Sequence, residues 1–332
     1  MSQPHEHLHS HDHDHPIRMP STMTRRRLLQ AAAAGIGAAA VAGAINPHPA
    51  QAVSTRVHLP GFDHFADVVS TFRSGSWYLV EVEGALPDHR MMVGITSWQQ
   101  QIPIPQDYTG SMAWQLPARP TPAAHPVSLA TSLRRQAVAL AVNGVPIFNA
   151  LNNTGTDSFL AGELDDWGGH CGRGDDYHYH VAPLHLEKVV GPGVPIAYAL
   201  DGYPIYGSTE PNGSAMRALD SATHGHVWQD SFHYHGTSTY PYTIAAMRGK
   251  VTVLDDMISP QPVTRPVRPP MEPLPGARIT GFTRRGSSHF RLTYVLGGKR
   301  YRIRYRATTS RVQITYVGPD GSTRAETYER AP

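Results

Sequence analysis

An internal duplication constrains this chain more than any other feature of its sequence. The segment from Ala139 to Phe148 (ALAVNGVPIF) returns 58 residues later as Ala197 to Tyr206 (AYALDGYPIY). Leu164-Asp165 then recurs as Leu219-Asp220, Gly169-His170 as Gly225-His226, and Tyr177-His178-Tyr179-His180 as Phe232-His233-Tyr234-His235. These shifts are 55 or 56 residues, in the same order. Four echoes in register mark two copies of one unit, neither of which can bury its apolar face alone. The copies, at about 139–180 and 197–235, are expected to pack about a pseudo-twofold axis. Gly-rich loops would then bring the histidine motifs of both halves to one region.

Within each unit the local signals are those of strands. Asn143-Gly144 and Asp201-Gly202 each lie between apolar runs, a strong hairpin signal. Val/Ile/Tyr-rich runs broken by Gly, Pro, Asn and Asp dominate the rest, and Ser76 to Glu83 reads as another strand. The expected fold is mainly β, a duplicated β-hairpin unit forming a pseudo-symmetric sandwich or barrel over 53–258. A Pro-rich stretch, 259–276, reads as a stiff linker. Beyond it, Arg278–Phe282, Phe290–Val295, Arg300–Arg306, Arg311–Val317 and Ala325–Tyr328 are short alternating runs. They predict a small antiparallel meander over 277–332, with Arg on one face and Tyr, Ile, Leu and Val on the other. If that meander is independent, a cut in the linker leaves the histidine domain folded.

Charge is divided along the chain. Residues 53–258 hold 11 Lys+Arg against 19 Asp+Glu, a net of −8, whereas 277–332 hold 12 against 3, a net of +9. A basic tail beside an acidic body can dock on that body or bind a polyanion. Nothing beyond this charge points to nucleic acid. The first 52 residues are a targeting segment. Thr24-Arg25-Arg26-Arg27-Leu28-Leu29 resembles the twin-arginine consensus, a weakly apolar Ala/Gly-rich stretch runs from Leu28 to Ile45, and Ala50-Gln51-Ala52 fits a cleavage site. Residues 24–52 are therefore expected to engage the twin-arginine export machinery, giving a periplasmic or extracellular protein; an uncleaved anchor is the alternative. The alternating histidines His5 to His15 form a polar leader that departs with the signal. Cys171 is the only cysteine, so the fold has no internal disulfide.

The histidine motifs carry the chemistry. Residues i and i+2 of a strand share a face, roughly 6.5–7 Å apart. His178 and His180 therefore point together, as do His233 and His235, while Tyr177, Tyr179, Phe232 and Tyr234 turn away. A third histidine, His170 or His226, arrives from the loop before each pair. Three imidazoles with one open position suit Zn, and Cu is also well served. Asp165 and Asp220 are candidates to orient the rings, Asp165 or Asp201 to act as general base in a hydrolase, and Cys171 to add a thiolate. Asp175-Asp176 reads as a solvated turn and His224 as a surface residue. The competing reading is a set of core histidines bonded to backbone or Tyr hydroxyls. One shared ion or two separate ions both fit the spacing. No G-x-S-x-G or H-E-x-x-H motif is present. The functional options are a Zn or Cu metalloenzyme on an unknown small-molecule or cell-wall substrate, a metal sequestration or delivery protein, and a glycan-binding wall module without metal.

From about Trp77 to Met247 the chain resembles the YHYH-domain proteins, a family with no settled activity. The resemblance is carried by Gly84-Ala85-Leu86-Pro87-Asp88-His89, by Val142 to Asn149 (VNGVPIFN), and by Gly169-His170 with the tetrapeptide at 177–180. Ala199 to Gly207 (ALDGYPIYG), Phe232 to His235 and Tyr240-Pro241-Tyr242 complete it. Phe232 departs from the Tyr usual at that place. The resemblance implies an exported protein and adds His89 to the candidate ligands.

Overall fold

The computed structural model describes residues 54–330; the segment expected to direct export and the histidine-rich leader lie outside the described residues. Strands β1 (Thr55–Arg56), β2 (Val69–Ser74), β3 (Trp77–Val82) and β4 (Trp114–Pro117) form an antiparallel four-stranded sheet. After β5 (Pro122–Ser128) comes the first unit, β6 (Ala137–Ala141), β7 (Pro146–Phe148), β8 (Gly169–Cys171) and β9 (Tyr177–Tyr179). A short helix, α1 (Glu187–Val190), leads to the second unit, β10 (Ala197–Ala199), β11 (Pro204–Tyr206), β12 (Gly225–Trp228) and β13 (Ser231–His235). Then β14 (Ala246–Gly249) returns to pair with β5, and β15 (Thr252–Leu254) pairs with β16 (Met257–Ser259).

The two units build one sheet of order β12-β13-β11-β10-β6-β7-β9-β8, which reads as the same four strands in both directions from its centre. At that centre β6 and β10 run antiparallel, with Leu140 opposite Tyr198, its own 58-residue equivalent. The pseudo-twofold axis passes between them. Both strands are Ala-rich and buried on both faces, so small side chains let layers close on either side. Each hairpin turns at its glycine: Gly144 (φ +81°) donates to the Ala141 carbonyl and Gly202 (φ +93°) to that of Ala199, both at 2.9 Å. The duplicated sheet does not close into a barrel. Instead the first sheet packs on its turn end, where Val82 and Val69 face Gly144 and Pro117 faces Gly202.

The C-terminal strands are β17 (Arg278–Arg285), β18 (His289–Leu296), β19 (Lys299–Ala307), β20 (Arg311–Val317) and β21 (Thr323–Glu329), paired in sequence order. Ile279, Phe282, Phe290, Leu292, Ile303, Tyr305, Val312 and Ile314 point inward, and Arg291, Arg302, Arg304 and Arg306 outward, as the alternation predicts. That inner face belongs to the core of the body. Ile279 exchanges backbone bonds with Gly94 and Ile95, Tyr305 Oη donates to the Pro103 carbonyl at 2.6 Å, and Trp98 packs on Tyr294. The Pro-rich stretch, expected as a spacer, is laid against the body by Arg268, whose buried guanidinium forks onto Asp175 at 2.7 and 2.9 Å. Tail and body therefore share one core.

Candidate metal centres

Each histidine cluster is assembled from two paired strands. His178 lies opposite His170 across β9 and β8, and His233 opposite His226 across β13 and β12. The third histidine thus comes from a neighbouring strand, where the sequence spacing suggested a loop. His180 and His235, two residues on from their partners, fall on the same face. Glycine before the third histidine is a steric need. A Cβ on Gly169 would run into the Tyr177 hydroxyl and the His178 carbonyl, and one on Gly225 into the His233 carbonyl and the Phe232 ring. The aromatic residues turn to the opposite, buried face as expected. There the symmetry continues: Tyr179 Oη meets Asn143 Nδ2 at 3.1 Å, and Tyr234 Oη donates to Asp201 at 2.6 Å, Asn143 and Asp201 being 58-residue equivalents.

Within the first cluster, His170 and His178 bring their Nε2 atoms to 3.0 and 3.2 Å from His180 Nε2. In the second, His226 and His235 stand 3.0 Å from His233 Nε2. The opposite ring nitrogens are engaged by carbonyls, which only accept: His178 Nδ1 donates to Asp176, His180 to Asn149, His226 to Ala218 and His235 to Gly207. Those rings carry their proton on Nδ1, so their Nε2 lone pairs face one another. Burial, reinforced by the neighbouring histidines, holds His170 well below the usual histidine range and His180 at about 3; burial likewise lowers His233 to about 4 and lowers His235. Imidazoles whose lone pairs converge at this spacing form a cage for a cation. Around a tetrahedral ion with metal–nitrogen bonds of about 2.0–2.1 Å, donors stand about 3.3 Å apart. His170, His178 and His180 form one group able to hold a metal ion, and Glu210, His226, His233 and His235 another.

The expectation of one shared region fails on the sheet order. Between β9 and β13 lie β7, β6, β10 and β11, five strand spacings or roughly 24 Å. Each unit therefore makes its own cluster. Residues 113–218 match the family model described as YHYH protein. The chain carries a YHYH domain over these residues. The match contains the whole first cluster and Glu210 but stops before His226, a narrower span than the resemblance from Trp77 to Met247. No curated protein and no solved structure matches the chain.

The remaining candidates lie outside the clusters. Asp165 takes the backbone N–H groups of Met92, Trp167 and Gly169 and the Tyr177 hydroxyl; Asp201 takes those of Tyr203 and Gly249 and the Tyr234 hydroxyl. Both sit on the aromatic side, so neither orients a ligand nor acts as base beside it. Asp220 is exposed and caps Ala222 and Thr223. Carbonyl oxygens do the orienting instead. Cys171 pairs across from Tyr177 on the core side, and burial, with Asp175, Asp176 and Asp165 nearby, pushes its thiol well up. It belongs to neither ligand group. His89 stacks on Trp167 and meets Tyr179 Oη at 3.0 Å, and burial, with His185 adding to it, lowers it to about 3. Asp175 and Asp176 are buried, not solvated, and His224 is buried against Thr237.

Glu210 is the ligand candidate that the sequence reading missed. Its Oε2 lies 3.1 Å from both His226 and His233 Nε2 and 3.7 Å from that of His235, while Oε1 accepts the Arg217 N–H at 2.8 Å. Burial works to raise its carboxyl, but the Arg217 N–H and His226 outweigh it and the net shift is downward. Extending the 58-residue register past Tyr206 aligns Glu210 with Asn152, a signal that was present in the sequence.

Proposed function

We propose that this YHYH-domain protein is an exported metalloprotein that binds two transition-metal ions, Zn or Cu, one in each repeat. The observation that carries this reading is the convergence of Nε2 lone pairs whose rings are locked by carbonyl acceptors. Core histidines held by hydrogen bonds alone would aim a donor at an acceptor, not lone pair at lone pair. Imidazole and carboxylate donors without thiolate suit Zn and Cu(II). A bound ion with an open position supplies Lewis-acid chemistry, and the protein's own part is to hold three neutral rings in a fixed cage. The test is metal analysis of protein purified without an affinity tag. Two equivalents are expected, falling to one in His178→Ala/His180→Ala and to one in His233→Ala/His235→Ala. Equal metal content in wild type and a variant lacking all six histidines would leave the motifs as packing elements and favour a metal-free glycan-binding module.

Export through the twin-arginine route belongs to the same proposal and rests on Arg25-Arg26 ahead of a weakly apolar stretch. Arg25→Lys with Arg26→Lys is expected to strand the precursor inside the cell, seen by fractionation; normal export of that variant would refute the route.

A further inference from the structure

The repeat is symmetric in its histidines and asymmetric in what stands opposite them. In the second cluster Glu210, fully enclosed, turns one oxygen to all three imidazoles and completes a four-donor set. In the first, Asn152 occupies the equivalent place and is committed elsewhere. Its Oδ1 accepts the Thr154 and Thr156 N–H groups at 3.0 Å, and its Nδ2 donates to Glu163 at 3.0 Å. The fourth side of this cluster opens into a cavity of about 290 Å³. Structural sites of this kind are closed by four protein ligands, whereas a site that exchanges ligands keeps one position open.

The chemistry of the cavity wall identifies what enters. Arg134, Arg135 and Arg173 line it together with the three histidines, and Glu163, already engaged by Asn152, is the one acidic residue of the lining. None of the three arginines has a carboxylate within ion-pair distance among the described residues. Arg134 Nε is buried without a hydrogen-bond partner, a donor left unmet by the protein itself. Arg134 Nη2 and Arg135 Nη1 donate to the Ala130 and Asp255 carbonyls, which carry no net charge. A cation held by the imidazoles and walled by guanidinium groups without carboxylate partners concentrates positive potential in a small volume. Guanidinium groups also match the geometry of carboxylate and phosphate oxygens.

We infer that the first cluster is a ligand-exchange site for a small oxyanion, bound by its carboxylate or phosphate group between the metal's open position and Arg134 and Arg173, while the second is a closed structural site. This rests on the two-ion reading above. The test uses the full chain loaded with cobalt(II), its stoichiometry measured first, then titrated separately with inorganic phosphate and with acetate while the visible absorption of the ion is followed. One of the two cobalt ions should respond, and the responding anion names the class, phosphate or carboxylate. The response should vanish in His178→Ala and persist in His233→Ala. Arg134→Gln with Arg173→Gln should weaken the apparent affinity by about tenfold or more with two cobalt ions still bound. Two bound ions with no response to either anion, or a response that survives His178→Ala, would overturn the open-site inference and leave the two-ion reading standing. Failure to take up cobalt would remove both.

Discussion

Tyr177 and Phe232 occupy equivalent places in the two repeats, and their difference explains how the two faces of one strand divide the work. Tyr177 Oη donates to Asp165 at 2.8 Å, and that carboxylate is buried behind Met92, Trp167 and Gly169 N–H groups. Phe232 donates nothing, and its counterpart Asp220 is exposed and needs no hydroxyl. Tyr177→Phe should therefore cost about 1.5–3 kcal/mol, the worth of a hydrogen bond to a buried carboxylate. Phe232→Tyr should be close to neutral. Because both aromatic rings lie on the face away from the imidazoles, neither change should alter metal content. Denaturant midpoints and metal analysis read the two effects separately, and loss of a metal equivalent in Tyr177→Phe would contradict the division of faces. At this scale the six histidines were legible because strand alternation is a local rule. Asp165 and Asp201 were misassigned because sequence proximity does not say on which side of the sheet a loop carboxylate lands. The arginines around the first cavity were invisible for a related reason: they come from segments that only the folded sheet brings together.

The C-terminal meander was legible almost strand for strand, since its period of two is strong and its turns are rich in Gly, Ser and Thr. Its attachment was not, because a Pro-rich sequence looks the same whether it floats or lies on a surface; the buried ion pair of Arg268 with Asp175 and the bonds of Gln261, Thr264 and Leu274 to the body distinguish them. The sheet also carries an electrostatic fault on its exposed face. Arg291 on β18 stands directly opposite Arg304 on β19, and Arg302 and Arg306 flank Arg304 on the same side. Like charges in register oppose pairing, and opposite charges favour it by about 0.2–1 kcal/mol per pair. Arg304→Glu is thus expected to raise the urea midpoint in a phosphate-free buffer. A fall instead would show that the arginine face is stabilised by contacts other than those between its own strands.

For the molecule as a whole, burying histidines ties stability to acidity. The duplication predicted the pseudo-twofold but not its consequence, that joining the repeats edge to edge at β6 and β10 drives the clusters to opposite ends of one sheet. Each cluster is then buried within its own flank, and His89, His185 and His224 are buried or half-buried outside both. Burial lowers His89 and His180 to about 3, and His185, His224 and His233 to about 4, with His170 and His235 lowered as well. In the unfolded chain all of these titrate near the ordinary value of about 6.5. Between those limits the unfolded state binds more protons than the folded one, so stability rises with pH and falls as pH drops below about 6.5, the loss continuing to about 3–4. Each histidine steepens that fall by at most about 1.4 kcal/mol per pH unit, less where solvent reaches the ring. Metal binding adds a dependence of the same sign, because its ligands must be deprotonated. Chelator-stripped protein should therefore lose thermal stability steeply between about pH 6.5 and pH 4, and metal-loaded protein should start higher and converge on the same curve once its ions leave. His89 and His185 belong to neither cluster, so part of the slope should survive in a variant lacking all six ligand histidines. A midpoint for the stripped protein that stays level from pH 7 to pH 5 would mean that these rings are protonated in the fold, and the neutral cages could not then exist as described.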